Sequence, residues 1–260
     1  MLAEISAFLE SIAPAGLAED WDNVGLLVGS RDHAVRRVMT CLTITQPVVQ
    51  EAVREQADLI VSHHPLPFRP LKRITDASPE GRLLWELIGA RIAVYSSHTA
   101  FDSARDGINQ RLAEGLLLTN VAPLVPCPAA VELGTGRWGI YWEAITVAEL
   151  AQLAKTFLKI DQLQVVGDLD RPLKRVAVAC GSAGELLSAA RDAECEAFVT
   201  GETRFHTCLE AEASDLALVL VGHYASERFG VERLAEVLAA QFPPLTVWAS
   251  RAERDPFRFV

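Results

Sequence analysis

Histidines and acidic residues recur at short spacings in this chain of 260 residues. His63 and His64 are adjacent, and His223 lies four positions before Glu227, a spacing that puts two side chains on one side of a helix. The histidine at position 98 stands in the same way four residues before Asp102. Imidazole nitrogens and carboxylate oxygens together favour Zn²⁺, Mn²⁺, Fe²⁺, Co²⁺ or Ni²⁺. Mg²⁺ and Ca²⁺, which prefer oxygen ligands alone, fit less well.

Each of these motifs also has an explanation without a metal. Adjacent residues inside a strand point to opposite faces, so the two histidines share one site only if the chain turns at Pro65. Asp102 could cap a helix that begins near Ser103. His223 and Glu227 could form no more than a surface hydrogen bond. The motifs gain weight only if the fold brings them together.

The elements that must position these side chains are short apolar runs separated by amphipathic segments. The runs are solidly apolar, as in strands that are buried on both faces of a parallel sheet. The predicted strands are 38–43, 57–62, 91–97, 175–180, 196–200 and 216–222. The predicted helices are 2–12, 46–57, 145–159, 184–194 and 229–241. Strand, helix and strand in alternation predict an α/β fold with mainly parallel sheets.

The two halves of the chain resemble a degenerate repeat. A shift of 138 residues lays 38–64 over 176–202 without a gap, and a shift of 125 lays 94–102 over 219–227. The second shift superimposes two copies of a His-x-x-x-acid motif. A proline-rich stretch, Val121 to Ala130, interrupts the pattern and is interpreted as the seam. The expected organisation is a single unit over 1–252 with two pseudo-repeated α/β lobes, 1–122 and 131–252.

Almost every candidate functional group comes directly after a predicted strand. Five of the six histidines lie at such positions, and His33 is the exception. Ligands of open parallel sheets bind outside the carboxyl ends of the strands. We therefore expect these groups to converge on a site at the strand ends between the two lobes.

Composition limits the classes of function. The net charge of -10 disfavours nucleic acid as a partner, because such a surface repels phosphate. Acidic residues interrupt the apolar residues of the first helix, so no secretory signal is expected, and no apolar run is long enough to cross a membrane. Five scattered cysteines without a CxxC pair are typical of a reducing compartment. These features predict a cytoplasmic protein.

Five motifs together resemble the Nif-three-like proteins, also labelled GTP cyclohydrolase 1 type 2 homologues or dinuclear metal centre hexameric proteins. The motifs are 20-DWDNVGLLVG, 62-SHHPLPF, 97-SHTAFD, 200-TGE and 222-GHYASE. The resemblance implies a toroidal homohexamer with two divalent ions in each subunit. Carried over residue by residue, it implies metal ligands at positions His63, His64, Asp102, His223 and Glu227, with the glutamate bridging both ions.

The function implied by the resemblance is that of a metal-dependent, cyclohydrolase-like hydrolase. The substrate class stays open, a small molecule that is phosphorylated or a nucleotide, because no residue is recognisable as a guanine reader. His98 is expected to act as a general acid or to hold the substrate, and His206 could do the same from the other half. The alternative is a metal-binding or protein-interaction scaffold without turnover.

Overall fold

The computed structural model describes residues 1–258 and divides the chain into two units. The first unit combines Met1–Phe101 with the described residues from Gly230 onward, and the second is Asp102–Phe229. The strands are β1 (Gly25–Val28), β2 (Arg37–Cys41), β3 (Leu59–Ser62), β4 (Ala93–Ser96), β5 (Thr119–Cys127), β6 (Ala130–Thr146), β7 (Gln164–Val166), β8 (Pro172–Ala179), β9 (Ala197–Thr200), β10 (Ala217–Leu220) and β11 (Thr246–Ala249). The α-helices are α1 (Leu2–Ile12), α2 (Gln46–Arg54), α3 (Pro79–Gly89), α4 (His98–Ser103), α5 (Ile108–Gly115), α6 (Val147–Leu158), α7 (Leu187–Asp192), α8 (Phe205–Ala213) and α9 (His223–Gln241).

The first unit is built on a five-stranded sheet in the order β1-β4-β3-β2-β11. Its strands pair in parallel except for β1, which runs antiparallel to β4. Every residue of β3 and β4 is buried, which explains why these strands are apolar throughout. Helix α1 buries Leu2, Ile5 and Leu9 at the predicted helical spacing.

The second unit has a six-stranded sheet in the order β5-β6-β8-β9-β10-β7. Its centre, β8-β9-β10, is parallel, and the flanking pairs are antiparallel. Helix α6 begins with a capping box. Thr146 Oγ1 accepts a hydrogen bond from the Glu149 backbone at 3.2 Å, and the Glu149 carboxylate accepts one from the Thr146 backbone at 2.6 Å.

The duplication predicted from the sequence is present in the backbone. The first sheet contains the strand order β1-β4-β3-β2. The second sheet contains the equivalent order β7-β10-β9-β8. Asp58 accepts hydrogen bonds from the backbone N–H groups of Arg36 and Arg37 at 2.7 and 2.9 Å. Glu196, 138 positions later, accepts the same pair of bonds from residues 174 and 175 at 2.6 and 2.9 Å.

The stretch that the sequence indicated as a seam is part of a strand. Val121 to Cys127 lie in β5, which pairs with β6 inside the second unit. The C-terminal segment returns to the first sheet as β11. The units therefore differ from the two sequential lobes, 1–122 and 131–252, because long-range strand pairing decides where each part of the chain packs. Among residues 1–258, no helix is long and apolar enough to cross a membrane.

Candidate metal centre

Three imidazoles meet at the carboxyl ends of two neighbouring strands in the first unit. His63 and His64 follow β3, and His98 follows β4, which pairs in parallel with β3. One ring nitrogen of each histidine lies within 4.8 Å of those of the other two. The ring centroids of His63 and His64 are 5.1 Å apart, so the chain does turn after β3 and lets adjacent side chains share one site. Three such nitrogens could hold a divalent ion.

A buried carboxylate orients His98. Asp22, whose side chain is inaccessible to solvent, lies 2.7 Å from His98 Nδ1 and also accepts hydrogen bonds from the backbone and hydroxyl of Thr99. Burial alone would raise the pKa of Asp22, but the bonds from His98 and Thr99 outweigh it and lower that pKa to about 2. An ionised carboxylate at Nδ1 fixes the ring orientation and favours the tautomer with its lone pair on Nε2.

A second contact orients His64. Its Nδ1 shares a hydrogen bond of 2.7 Å with Thr43 Oγ1. The backbone N–H groups of Leu42 and Thr43 donate to the carboxylate of Glu253 at 2.8 and 2.5 Å. The C-terminal segment thus holds the loop that holds the histidine.

The second unit presents a histidine and two carboxylates. His223 and Glu227 lie on the first turn of α9, with His223 Nε2 3.1 Å from Glu227 Oε2, while His223 Nδ1 lies 3.0 Å from Glu202 Oε1. The hydrogen bond to Glu227 raises the pKa of His223 to about 9, against the opposing effect of burial and with a further contribution from Glu202. The two carboxylates therefore favour the protonated form of this imidazole.

Two glycines let the backbone approach this turn of α9. Gly181 has φ +66°, and a Cβ there would collide with the Glu227 carboxylate. A Cβ on Gly201 would come within 2.5 Å of the Gly181 carbonyl and 2.7 Å of Ser226 Oγ. Ser226 Oγ also accepts a hydrogen bond of 2.9 Å from the Gly181 backbone. The glycine-rich turn after β8 therefore packs against the carboxylate.

Asp102 lies inside α4 and does not cap a later helix. Its Oδ1 accepts a hydrogen bond of 3.2 Å from Cys180 Sγ, and its backbone carbonyl accepts one from Asn109. Burial, reinforced by the negative charges of Asp102 and Glu227, raises the pKa of the Cys180 thiol well above its ordinary value. The Cys180 thiol therefore stays protonated and donates to Asp102. A protonated, buried thiol is a poor nucleophile.

The predicted site residues do not all fall in these groups. His206 is exposed on α8 and belongs to no cluster of three or more potential metal ligands in the part of the chain that the structure describes. Sequence reasoning missed the carboxylates of Asp22 and Glu253 as orienting groups. Asp22 lies in the motif 20-DWDN, which could have indicated its role. No motif in the sequence around Glu253 indicated its role.

The donor set fits a divalent metal. It consists of imidazole nitrogens in the first unit and a histidine with carboxylates in the second, each at a strand end. Neutral imidazole and ionised carboxylate are the ligands that zinc and the first-row transition metals accept. The fold and these groups define a two-unit α/β protein with histidine and glutamate side chains that could bind metal ions.

Comparison with known proteins places the chain in a family. Residues 1–256 match the model of Duf34/NIF3 (NGG1p interacting factor 3), and the chain belongs to this family. It is 32% identical to a "GTP cyclohydrolase 1 type 2 homolog" of Clostridium perfringens over 100% of this chain and 99% of the relative. The corresponding protein of Streptomyces coelicolor is 36% identical over 98% of this chain and 93% of its own length.

A solved structure agrees with the fold. The crystal structure of a Bacillus cereus protein related to NIF3 superimposes with a TM-score of 0.90 at 26% identity, covering 100% of this chain and 99% of that one. The resemblance stated from sequence motifs is thereby confirmed at the level of family and fold.

Proposed function

We propose that this protein binds a pair of divalent metal ions through His63, His64, Asp102, His223 and Glu227. The observation that supports it best is the pair His63 and His64 at the end of β3, whose ring nitrogens lie close enough to share one ion, with the His64 ring held by Thr43. Such a supporting shell is typical of metal-binding histidines. The short-range contacts of His223 and Glu227 give a second, carboxylate-rich group.

We further propose that the protein is a metal-dependent hydrolase of a small, phosphorylated or nucleotide substrate. Divalent ions in this setting supply Lewis acidity that activates water and polarises a substrate oxygen. His98, oriented by Asp22, exchanges a proton with the substrate or holds it. His206 stays a second candidate for that role, although it is exposed. The names of the relatives make GTP the first nucleotide to test.

Metal analysis tests the ligand set. Purified without chelator, the wild-type protein should contain about two divalent ions per chain by elemental analysis, and His64→Ala and Glu227→Ala should each lose at least half of that metal. His33→Ala is the matched control, since His33 is not at the end of a strand. Full metal in both ligand variants would contradict the proposal.

Activity measurements test the hydrolase and the role of His98. The metal-loaded protein is assayed with a panel of nucleotides and phosphorylated metabolites. His98→Ala should keep its metal and lose about 10²–10⁴-fold in turnover, whereas Asp102→Ala should lose metal as well. His206→Ala on the same panel tests the second histidine. Metal without turnover on the whole panel would favour the alternative of a non-catalytic scaffold.

The same proposal includes a cytoplasmic homohexamer in the form of a ring. A closed ring is a common symmetric assembly. Light scattering should give a mass near six times the 28.3 kDa of one chain. A mass of 28.3 kDa at micromolar concentration would remove the hexamer and leave the metal proposal standing.

A further inference from the structure

Two exposed aromatic side chains lie next to the histidine cluster of the first unit. Trp21 is 60% exposed and Phe68 is 44% exposed. Their ring centroids are 5.9 Å apart, and each also contacts His98, at 5.8 Å and 6.2 Å between centroids. Single exposed aromatic side chains are common, whereas adjoining exposed ones beside a polar cluster are typical of a binding surface.

The loops that carry this pair are fixed to each other. Asn23 Nδ2 donates a hydrogen bond of 2.7 Å to the carbonyl of Pro67, which joins the loop before β1 to the loop after β3. The Phe68 backbone donates to the Glu80 carboxylate at 3.2 Å. The buried Asp22, next to Trp21, is held by Thr99 and His98. The aromatic rings therefore sit on a preorganised frame, which reduces the entropy lost on binding.

We propose that Trp21 and Phe68 form a stacking platform for a planar, purine-sized heteroaromatic ring of the substrate. The inference rests on the proposed function, because it places that ring beside the candidate metal ligands. Indole and phenyl faces attract flat π-systems with little regard to the pattern of ring substituents. A platform of this kind also explains how a ring can be bound where the motifs contain no recognisable base reader.

Binding of GMP, AMP and ribose 5-phosphate tests the platform. Calorimetry on the full-length, metal-loaded protein should show both nucleotides binding more tightly than ribose 5-phosphate, which lacks the ring. Trp21→Ala should weaken nucleotide binding about 5- to 150-fold, the range expected for loss of one stacked base. Trp21→Phe should restore most of it, because the phenyl ring still stacks. Saturation-transfer NMR should show the strongest contact at the H8 proton of the base.

The matched control is Trp142→Ala, which removes another exposed tryptophan, 74% exposed, from β6 of the second unit. It should leave nucleotide binding unchanged. The platform is overturned if Trp21→Ala binds GMP as the wild type does, if the three probes bind alike, or if none binds at about 10 mM. It is also overturned if Trp21→Ala changes only the mass in light scattering, since that result assigns the pair to contacts between copies.

Failure of this inference is distinguishable from failure of the metal proposal. Protein that holds metal but does not distinguish GMP from ribose 5-phosphate rejects the platform alone. Protein that holds no metal, yet binds GMP in a manner that depends on Trp21, rejects the metal proposal and supports the platform.

Discussion

The two units share one strand order and differ in what they place at the strand ends. After β3 the first unit has His63 and His64, and after the equivalent β9 the second has Gly201 and Glu202. After β4 and β10, both units have a histidine at the start of a helix. Duplication thus preserved the backbone frame, including its carboxylate at Asp58 or Glu196, while the side chains at the functional edge diverged.

The units also hold their histidines by different means. In the first, residues outside the cluster act as orienting partners: Asp22 for His98 and Thr43 for His64. In the second, a candidate ligand pairs with another, His223 with Glu227. The hydrogen bond to Glu227 favours the protonated form of His223, so a metal ion that binds His223 would displace that proton.

A further difference is that the first unit depends on a segment from far along the chain. Buried Glu51 accepts hydrogen bonds from Trp248 Nε1, Ser250 Oγ and the Ala252 backbone at 3.2, 2.7 and 2.9 Å. The position equivalent to Glu51 in the second unit is Ala189. The buried carboxylate is therefore specific to the unit that must retain its C-terminal segment.

Removal of that carboxylate should give the largest effect. Glu51→Ala leaves several buried donors without their acceptor and should lower the free energy of unfolding by about 3 kcal/mol. Urea denaturation measures the loss, and native-state hydrogen exchange should show it in the first unit more than in the second. Glu143→Ala, on the exposed face of β6, is the control with an expected change near zero. Equal loss of hydrogen-exchange protection in both units would contradict a role for Glu51 that is specific to the first unit.

The pH dependence of a second variant at this position, Glu51→Gln, sharpens the test. Burial would raise the pKa of Glu51, but its hydrogen bonds, led by that from Ser250, lower it below the ordinary 4.5. A lowered folded-state pKa contributes stability that is fully present above the ordinary value and is lost as the pH falls through the folded value. The difference in stability between wild type and Glu51→Gln should therefore shrink below about pH 4.5. A difference that grows on acidification contradicts this assignment.

Equivalent glycines should differ in their tolerance of a methyl group. Gly29 (φ +117°) follows β1, and its added Cβ would lie 2.8 Å from Ala93 Cβ; Gly167 (φ +104°) follows β7, and its nearest neighbour, Ala217, would be 3.4 Å away. Both alanine variants strain the backbone, and only Gly29→Ala adds a clash. We expect losses of about 2 kcal/mol and about 1 kcal/mol by urea denaturation. A larger loss for Gly167→Ala than for Gly29→Ala would show that the packing around these glycines differs from that in the structure.

The smallest difference between the two units is expected at the backbone contacts that they share. Asp58→Ala and Glu196→Ala each remove a half-buried carboxylate that accepts two backbone hydrogen bonds. Each should cost about 1–2 kcal/mol, and the two values should agree within about 0.5 kcal/mol. Thermal unfolding under identical conditions measures both. Clearly unequal values would show that the duplicated contacts no longer contribute equally to stability.

Local patterns in the sequence predicted the central strands, the helices α1, α2, α6, α7 and α9, and the placement of His223 and Glu227 on one helical turn, but not α3, α5 or α8. They failed where a contact spans a long stretch of chain. Pro123 and Pro126 argued against a strand at β5, but β5 is an edge strand, where a missing N–H donor is tolerated. The orienting roles of Glu253 and Glu51 depend on partners about 200 residues away, which no local periodicity records.

The return of β11 to the first sheet has a consequence for biosynthesis. The ribosome delivers the whole of the second unit before Thr246–Ala249 and Glu253 emerge. The second unit can therefore complete its sheet first. Until β11 is synthesised, β2 has no strand paired with its outer edge. Only when Glu253 reaches the backbone of Leu42 and Thr43 does the loop beside His64 gain its final contacts. In nascent chains, the histidine cluster thus gains its final contacts only after the second unit has been synthesised.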